Sequence, residues 1–221
     1  VILNCNNHTI KGDNFSGSKG ILITDVNNVT IENIIVTRWD YGVFVRRSTN
    51  VTIRSVTARS NDCGLSLGST NESMVIDFVG VSNYVGIRLS NSHRNKVSRA
   101  KIEKGTTGIE LSASTLNIIS ENTILEPSDT GIYVYQSNNN TIKGNVILNE
   151  TINGIHLYSS QHVEVEGNTI VNVISGIYLS YAHVNSIVNN TIQNCFVGMN
   201  LYFSHENRIQ ANSFIGCGMY V

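Results

Sequence analysis

Asp40 and Asp62 stand 22 residues apart, each two residues ahead of a glycine. A carboxylate pair held side by side can divide general-acid and general-base work, and Arg46 and Arg88 nearby would clamp an anionic substrate. Glu110, two residues past another glycine, is a further candidate. The same aspartates also suit a plain turn before a glycine, with solvated arginines around it. No histidine or third acid joins the pair.

A second set is aromatic. Tyr133, Tyr135, Tyr158, Tyr178 and Tyr202, with His156 among them and Tyr181 and Phe203 beside them, crowd into the last two-fifths of the chain. Exposed aromatic rows stack on sugar rings or dock proteins, because large rings bury area at small entropic cost. The competing reading is a ladder of rings that only stabilises a sheet. His183 and His205 are 22 residues apart, with Glu206 beside the second. Two stacked imidazoles would share a metal only with further ligands, since a competent site takes three or four. Without a third ligand in evident reach, they read as turn histidines. Cys195 and Cys217 share the same spacing, and their separation suits a disulfide, which would fit an oxidising compartment. Cys5 and Cys63 read as lone buried thiols. Eight Asn-x-Ser/Thr sequons occur; those in outward turns, Asn14, Asn71 and Asn149 above all, would carry glycan on an exported protein.

One repeat positions all of these. Gly176-Ile177-Tyr178-Leu179 recurs as Gly154-Ile155-His156-Leu157, Gly131-Ile132-Tyr133-Val134 and Gly108-Ile109-Glu110-Leu111, back to Gly20-Ile21-Leu22-Ile23. It continues as Gly198-Met199-Asn200-Leu201 and closes on Gly218-Met219-Tyr220-Val221. Successive glycines are 22 residues apart, with two steps of 23 and a last of 20. A fixed period in this range marks a stacked-coil architecture. Positions one and three after each glycine are apolar, the alternation of a strand with one buried face. Further apolar columns fall eleven and sixteen residues after the glycine, through Ile142 and Ile170 respectively. Three short strands per 22 residues describe a parallel β-helix of about ten coils, a single domain over residues 1–221 and roughly 45–50 Å long.

Asparagine, about one residue in seven, falls into register too. Asn95, Asn117, Asn140, Asn185 and Asn207 form one column; Asn122, Asn145, Asn168, Asn190 and Asn212 form another. Asn tolerates the left-handed conformation of a sharp bend, and its amide can bond the same amide one rung away. Ser92, Ser114, Ser137, Ser160, Ala182 and Ser204 fit another tight corner. Before residue 90 the Asn columns give way to Val29, Val51, Ile34, Val56 and Phe78, which predicts a drier interior there.

Asn140-Thr141-Ile142-Lys143-Gly144-Asn145-Val146-Ile147, followed by Gly154-Ile155-His156-Leu157, resembles the repeat of NosD-type and carbohydrate-binding/sugar-hydrolase β-helix proteins of archaeal and bacterial surfaces. The opening Ile2-Leu3-Asn4-Cys5-Asn6-Asn7-His8-Thr9-Ile10-Lys11-Gly12 is similar to that family's entry coil. The resemblance covers nearly the whole chain and implies the fold, an all-β right-handed parallel β-helix. For function it implies several classes: polysaccharide enzymes, glycan-binding modules, metal-site maturation factors and surface-layer proteins. It also implies that activity would sit on the outer face of the first strand. β-Helix pectate lyases and polygalacturonases gather several acids there, whereas this chain offers Glu110 alone. The expectation is therefore a non-catalytic extracellular or cell-surface scaffold that binds polysaccharide or surface glycan. The alternatives are a polysaccharide lyase, hydrolase or epimerase, and a NosD-like maturation factor.

Composition narrows the classes further. Charged residues make up 14% and there is one proline. No long apolar run would cross a membrane, and no motif calls for a cofactor or nucleotide. The basic half lacks the density of a nucleic-acid binder. Residues 1–108 carry 13 Lys/Arg against 8 Asp/Glu, and residues 109–221 carry 2 against 8. The chain begins and ends on strand-like residues and reads as a piece of something longer. Open strand edges together with a basic end facing an acidic end would favour head-to-tail association into a fibre, sheath or layer.

Overall fold

The computed structural model describes residues 1–149 and 151–218. It is a right-handed parallel β-helix without helices among the described residues. Nine six-residue strands, from Lys19–Thr24 to Val197–Tyr202, form one sheet, and a second sheet of 17 strands wraps the rest of the coil. Every pairing is parallel and joins equivalent positions of successive repeats, as in Ile132 to Ile155 and Ile155 to Ile177. Gly218 makes an isolated bridge to Val197. Met219, Tyr220 and Val221, expected to finish a tenth repeat, lie outside the described residues.

The apolar columns are the core. Ile132, Val134, Ile142, Ile147, Ile155, Leu157 and Ile170 are fully buried. In the first coils the second and third strands run together as single 11-residue elements, Asn27–Thr37 and Thr49–Arg59. Later coils split them into three-residue strands such as Ile118–Ser120 and Thr123–Leu125. The fusion coincides with the rungs where Val51, Ile34 and Val56 are fully buried in place of asparagine, so the drier interior is present there.

Elsewhere the corners are held by side-chain amides. The Asn122 backbone N–H donates to Asn145 Oδ1 at 3.0 Å, and Asn145 N–H to Asn168 Oδ1 at 2.9 Å. Asn145 Nδ2 donates to the same Asn168 oxygen at 2.9 Å and to Ile119 O at 2.9 Å. The serine column works alike, with Ser92 N–H donating to Ser114 Oγ at 3.0 Å. These asparagines do not occupy the left-handed bend themselves, contrary to the sequence expectation. The residue before each does: Asn139 (φ 57°) precedes Asn140, and Gly144 (φ 61°) precedes Asn145. The bend therefore turns the chain, and the next side chain closes it from inside.

The repeat glycine answers to a steric limit. A Cβ on Gly131 would lie 2.6 Å from the carbonyl oxygen of Gly154 and 2.7 Å from the Ile147 side chain. Backbone and core approach too closely there for any side chain. The strand register also skips the glycine: Tyr41 pairs with Cys63 and Val43 with Leu65. The residue before the glycine can thereby turn to the outer face with positions two and four after it, as Tyr41 does in stacking on Phe44 at 4.9 Å, although Cys63 and Val85 in the same column are buried.

Replacing Ile170 with Asp should unfold its rung, because burial of such a side chain contributes roughly 1.5–3 kcal/mol and the charge would have no partner. Asn145→Ala should cost about 1–3 kcal/mol by stranding buried donors. Denaturant titration followed by circular dichroism checks both.

Candidate functional site

The outer face of the nine-stranded sheet gathers most of the chemistry in one column. In-register pairing runs from Ser66 to Arg88, Glu110, Tyr133, His156, Tyr178 and Asn200. Arg88 and Glu110 form an ion pair at 3.1 Å. Beyond them come rings: Tyr133 to His156 at 5.1 Å, and His156 to Tyr178 at 4.6 Å and 20°. In the neighbouring column Tyr135 stacks on Tyr158 at 5.5 Å. Tyr158 meets Tyr181 edge-on, and Tyr181 stacks on Phe203 at 5.4 Å and 9°, with Tyr202 set against both.

This geometry divides the aromatic set. Tyr133, Tyr135, Tyr158 and Tyr178 are half-buried, and their cross-rung stacking turns ring faces toward each other. Tyr181, Tyr202 and Phe203 are 43%, 47% and 57% exposed at the corner after the strand. Both expected roles are thus present, ladder and exposed patch, on successive parts of one surface.

His156 is the least ordinary member. Its Nε2 is buried without a hydrogen-bond partner among the described residues. Burial between two rings disfavours the imidazolium and pulls the pKa down to about 4, so the ring is neutral at physiological pH. Burial likewise raises the Tyr133 phenol, with Tyr135 and Glu110 adding to the effect. A cavity of about 270 Å³ opens beside them, lined by Asp129, Thr130, Tyr133, Asn153 and His156.

Neither Arg46 nor Arg88 forms an ion pair with Asp40 or Asp62 among the described residues, although Arg88 and both aspartates lie close enough to act on Tyr41. Arg88 is spent on Glu110, and Arg46 Nε donates to Thr24 Oγ1 at 3.1 Å. Asp40 accepts the Gly17 N–H, as a turn carboxylate does. The two aspartates instead line a separate cavity of about 520 Å³ at the corner before the sheet, with Asn14, Trp39 and Tyr84.

His183 and His205 do stack, at 5.4 Å and 20°. The His205 N–H donates to His183 Nδ1 at 3.1 Å. The same column does this elsewhere with Asn71, whose Oδ1 accepts the His93 N–H at 2.8 Å, and with Asn138, which accepts from Gln161 at 2.8 Å. These histidines therefore substitute for corner amides. Among the described residues no group of three or more His, Cys, Asp or Glu is placed to hold a metal. With one His183 nitrogen already engaged by backbone and no third ligand beside the pair among the described residues, these two histidines do not by themselves make a metal centre.

The expected disulfide is not formed: Cys195 and Cys217 are free thiols. Cys217 Sγ stands 3.3 Å from the Cys195 backbone nitrogen, and Cys195 Sγ donates to Gln193 O at 3.2 Å. Each sulfur also satisfies backbone in its own rung column, where Asn61 and Asn83 do the same earlier, while the two thiols stay within hydrogen-bonding reach of each other. Cys63 is buried as expected, its thiol pushed up to about 12 by desolvation, but Cys5 is only half-buried. Of the outward sequons, Asn14 is exposed; Asn71 and Asn149 are half-buried, and Asn149 Oδ1 accepts from Asn172 Nδ2 at 3.0 Å.

Sequence reasoning missed Asp129, Thr130 and Asn153. Asp129 was available to it, standing two before Gly131 as Asp40 stands before Gly42. Thr130 and Asn153 were not, because only the skipped glycine in the register brings the residue before it outward.

A rod of in-register coils with a stacked outer face is the form of the right-handed parallel β-helix proteins. Its sequence matches the model of the family described as periplasmic copper-binding protein (NosD), over residues 5–156 and again over 125–219. The chain belongs to the NosD family. No curated protein matches it in sequence. Among solved structures it is similar to the periplasmic alginate epimerase AlgG, with a TM-score of 0.73 at 18% identity over 84% of this chain and 50% of that one. The A-module of the Azotobacter vinelandii mannuronan C-5 epimerase AlgE4 gives a TM-score of 0.72 at 17% identity, over 88% of this chain and 62% of that one. PfbA, a surface adhesin of Streptococcus pneumoniae, gives 0.74 at 12% identity, over 89% of this chain and 62% of that one. The chain thus spans half to three-fifths of these structures, and at such identities the likeness is one of fold.

The depressed His156 pKa has a consequence for stability. An unfolded chain takes up a proton near pH 6.5 that the folded protein refuses until about pH 4. The contribution is whole above pH 6.5 and is lost as pH falls through that window, by about 1–2 kcal/mol after discounting for partial exposure. Urea midpoints at pH 7 and pH 4.5 should differ less in His156→Phe than in the wild type.

Proposed function

We infer that this chain is a glycan-binding β-helix segment of an extracytoplasmic protein, acting as a scaffold and not a catalyst. The observation that carries the reading is the aromatic surface of the last rungs, where the Tyr133–His156–Tyr178 stack leads to the exposed Tyr181, Tyr202 and Phe203. Stacked rings supply a flat, rigid wall with hydroxyls at its edge, and the exposed trio supplies free ring faces for a pyranose. The family's periplasmic description and the absence of any described helix able to cross a membrane agree with a place outside the cytoplasm; the cell surface is the finer proposal. The reading extends to glycan attachment at Asn14, and at Asn71 and Asn149 where local pairing yields. It extends also to weak head-to-tail self-association, supported by the opposite charge of the two halves and weakened by salt.

A second reading, a polysaccharide-active enzyme, is favoured by the 520 Å³ cavity that holds Asp40 and Asp62 together. Incubating the protein with acidic and neutral polysaccharides separates the two. Retention without new reducing ends, unsaturated ends or epimers supports the scaffold, and any such product supports the enzyme.

Tyr181→Ala with Phe203→Ala should weaken glycan binding about tenfold, as hot-spot ring truncations do. Tyr133→Ala, Tyr158→Ala and Tyr178→Ala should instead lower stability as well as binding. Affinity electrophoresis beside thermal melts reads both, and binding undiminished by any of these five substitutions would refute the tyrosine-face reading.

A further inference from the structure

We propose that the cavity beside His156 is a subsite for one neutral hexose unit of a glycan lying along this face, and that it discriminates against uronate. The proposal rests on the glycan-binding reading and names its selectivity. The cavity, about 270 Å³, is of monosaccharide size and lined by a carboxylate, an amide, a hydroxyl, a phenol and an imidazole: Asp129, Asn153, Thr130, Tyr133 and His156. Converging donors and acceptors of that kind match the vicinal hydroxyls of a sugar.

Two features leave hydrogen-bonding groups of this lining available to a ligand. The rung contacts here use backbone: Asn153 N–H donates to Asp129 O at 2.9 Å, and Thr151 Oγ1 donates to the same oxygen at 2.6 Å. The Asp129 and Asn153 side chains take no part in them. His156 keeps its Nε2 buried and unpartnered among the described residues, held by stacking alone. A buried nitrogen without a partner is costly. A small tilt of the ring toward a sugar hydroxyl would satisfy it without breaking any hydrogen bond.

Charge sets the selectivity. The guanidinium of this column, Arg88, is neutralised by Glu110 at 3.1 Å. Glu110 and Asp129 both act on Tyr133 as negative neighbours. Residues 109–221 carry 2 basic against 8 acidic side chains. A uronate carboxylate placed here would meet the Asp129 carboxylate, with no cationic side chain lining the cavity among the described residues, whereas a neutral hexose meets only hydrogen-bonding groups.

Isothermal titration with cellohexaose, mannohexaose, hexamannuronate and hexagalacturonate tests this, on the wild type, Asp129→Ala, Asn153→Ala and the Tyr181→Ala/Phe203→Ala double variant. Neither cavity substitution removes a rung contact, and thermal melts confirm the fold. The expected result is binding of a neutral hexamer at least tenfold tighter than either uronate, weakened about tenfold by Asp129→Ala and by Asn153→Ala. Uronate binding equal to or tighter than neutral binding would overturn the proposal. Neutral binding that ignores both cavity variants but falls in the double aromatic variant would overturn the subsite and leave the tyrosine-face reading standing. No binding of any hexamer would overturn both.

Discussion

The structure depends on one contact made many times: a backbone N–H of one rung donating to a side-chain oxygen of the next. Asn95 to Asn117, Asn122 to Asn145 and Asn168 to Asn190 all make it at 2.9–3.0 Å. A parallel coil has three corners per turn where the strand ladder lapses, and buried backbone there must find a partner or cost stability. The inward amide supplies it from a fixed position, so each rung is set over the last without slippage. Ser114 and Cys217 show that the corner asks for an acceptor, not for asparagine as such.

That constraint creates the outer surface. Because every rung repeats in register, residues two after each glycine form a straight column whatever their chemistry. Tyr133, His156 and Tyr178 are brought to 4.6–5.1 Å by the spacing of the strands beneath them, not by mutual attraction. The rings then stabilise what the backbone has imposed, and the imidazole between them is dry enough to stay neutral. The surface chemistry is thereby decoupled from the fold: a family built on this core can vary its outer columns freely, which is why fold-level similarity to epimerases and an adhesin leaves the activity of this chain open.

The repeat made the architecture legible. Interior columns such as Ile142 and Ile170, and the ladder asparagines, are where periodicity puts them, because burial and pairing both follow the 22-residue step. What periodicity could not supply was side-chain direction within a corner. Cys195 and Cys217 share a column yet also serve backbone groups there, and His183 serves as an acceptor rather than a ligand. Asp40 and Asp62 are neighbours, but Arg88 lies in another column with a partner of its own. The outward turn of Thr130 and Asn153 arises from the register skip at the glycine, which a count from that glycine cannot reveal.

The central claim is that inward side-chain oxygens, rung by rung, hold the corners and so fix the outer columns. Residue-resolved hydrogen exchange on the wild type and on Asn145→Ala tests it most directly. The account predicts that the Asn122 amide, which donates to Asn145 Oδ1 at 3.0 Å, is strongly protected in the wild type and loses that protection in the variant, while the Asn95 amide stays slow. Fast exchange of the Asn122 amide in the wild type, or protection unaffected by Asn145→Ala, would contradict it.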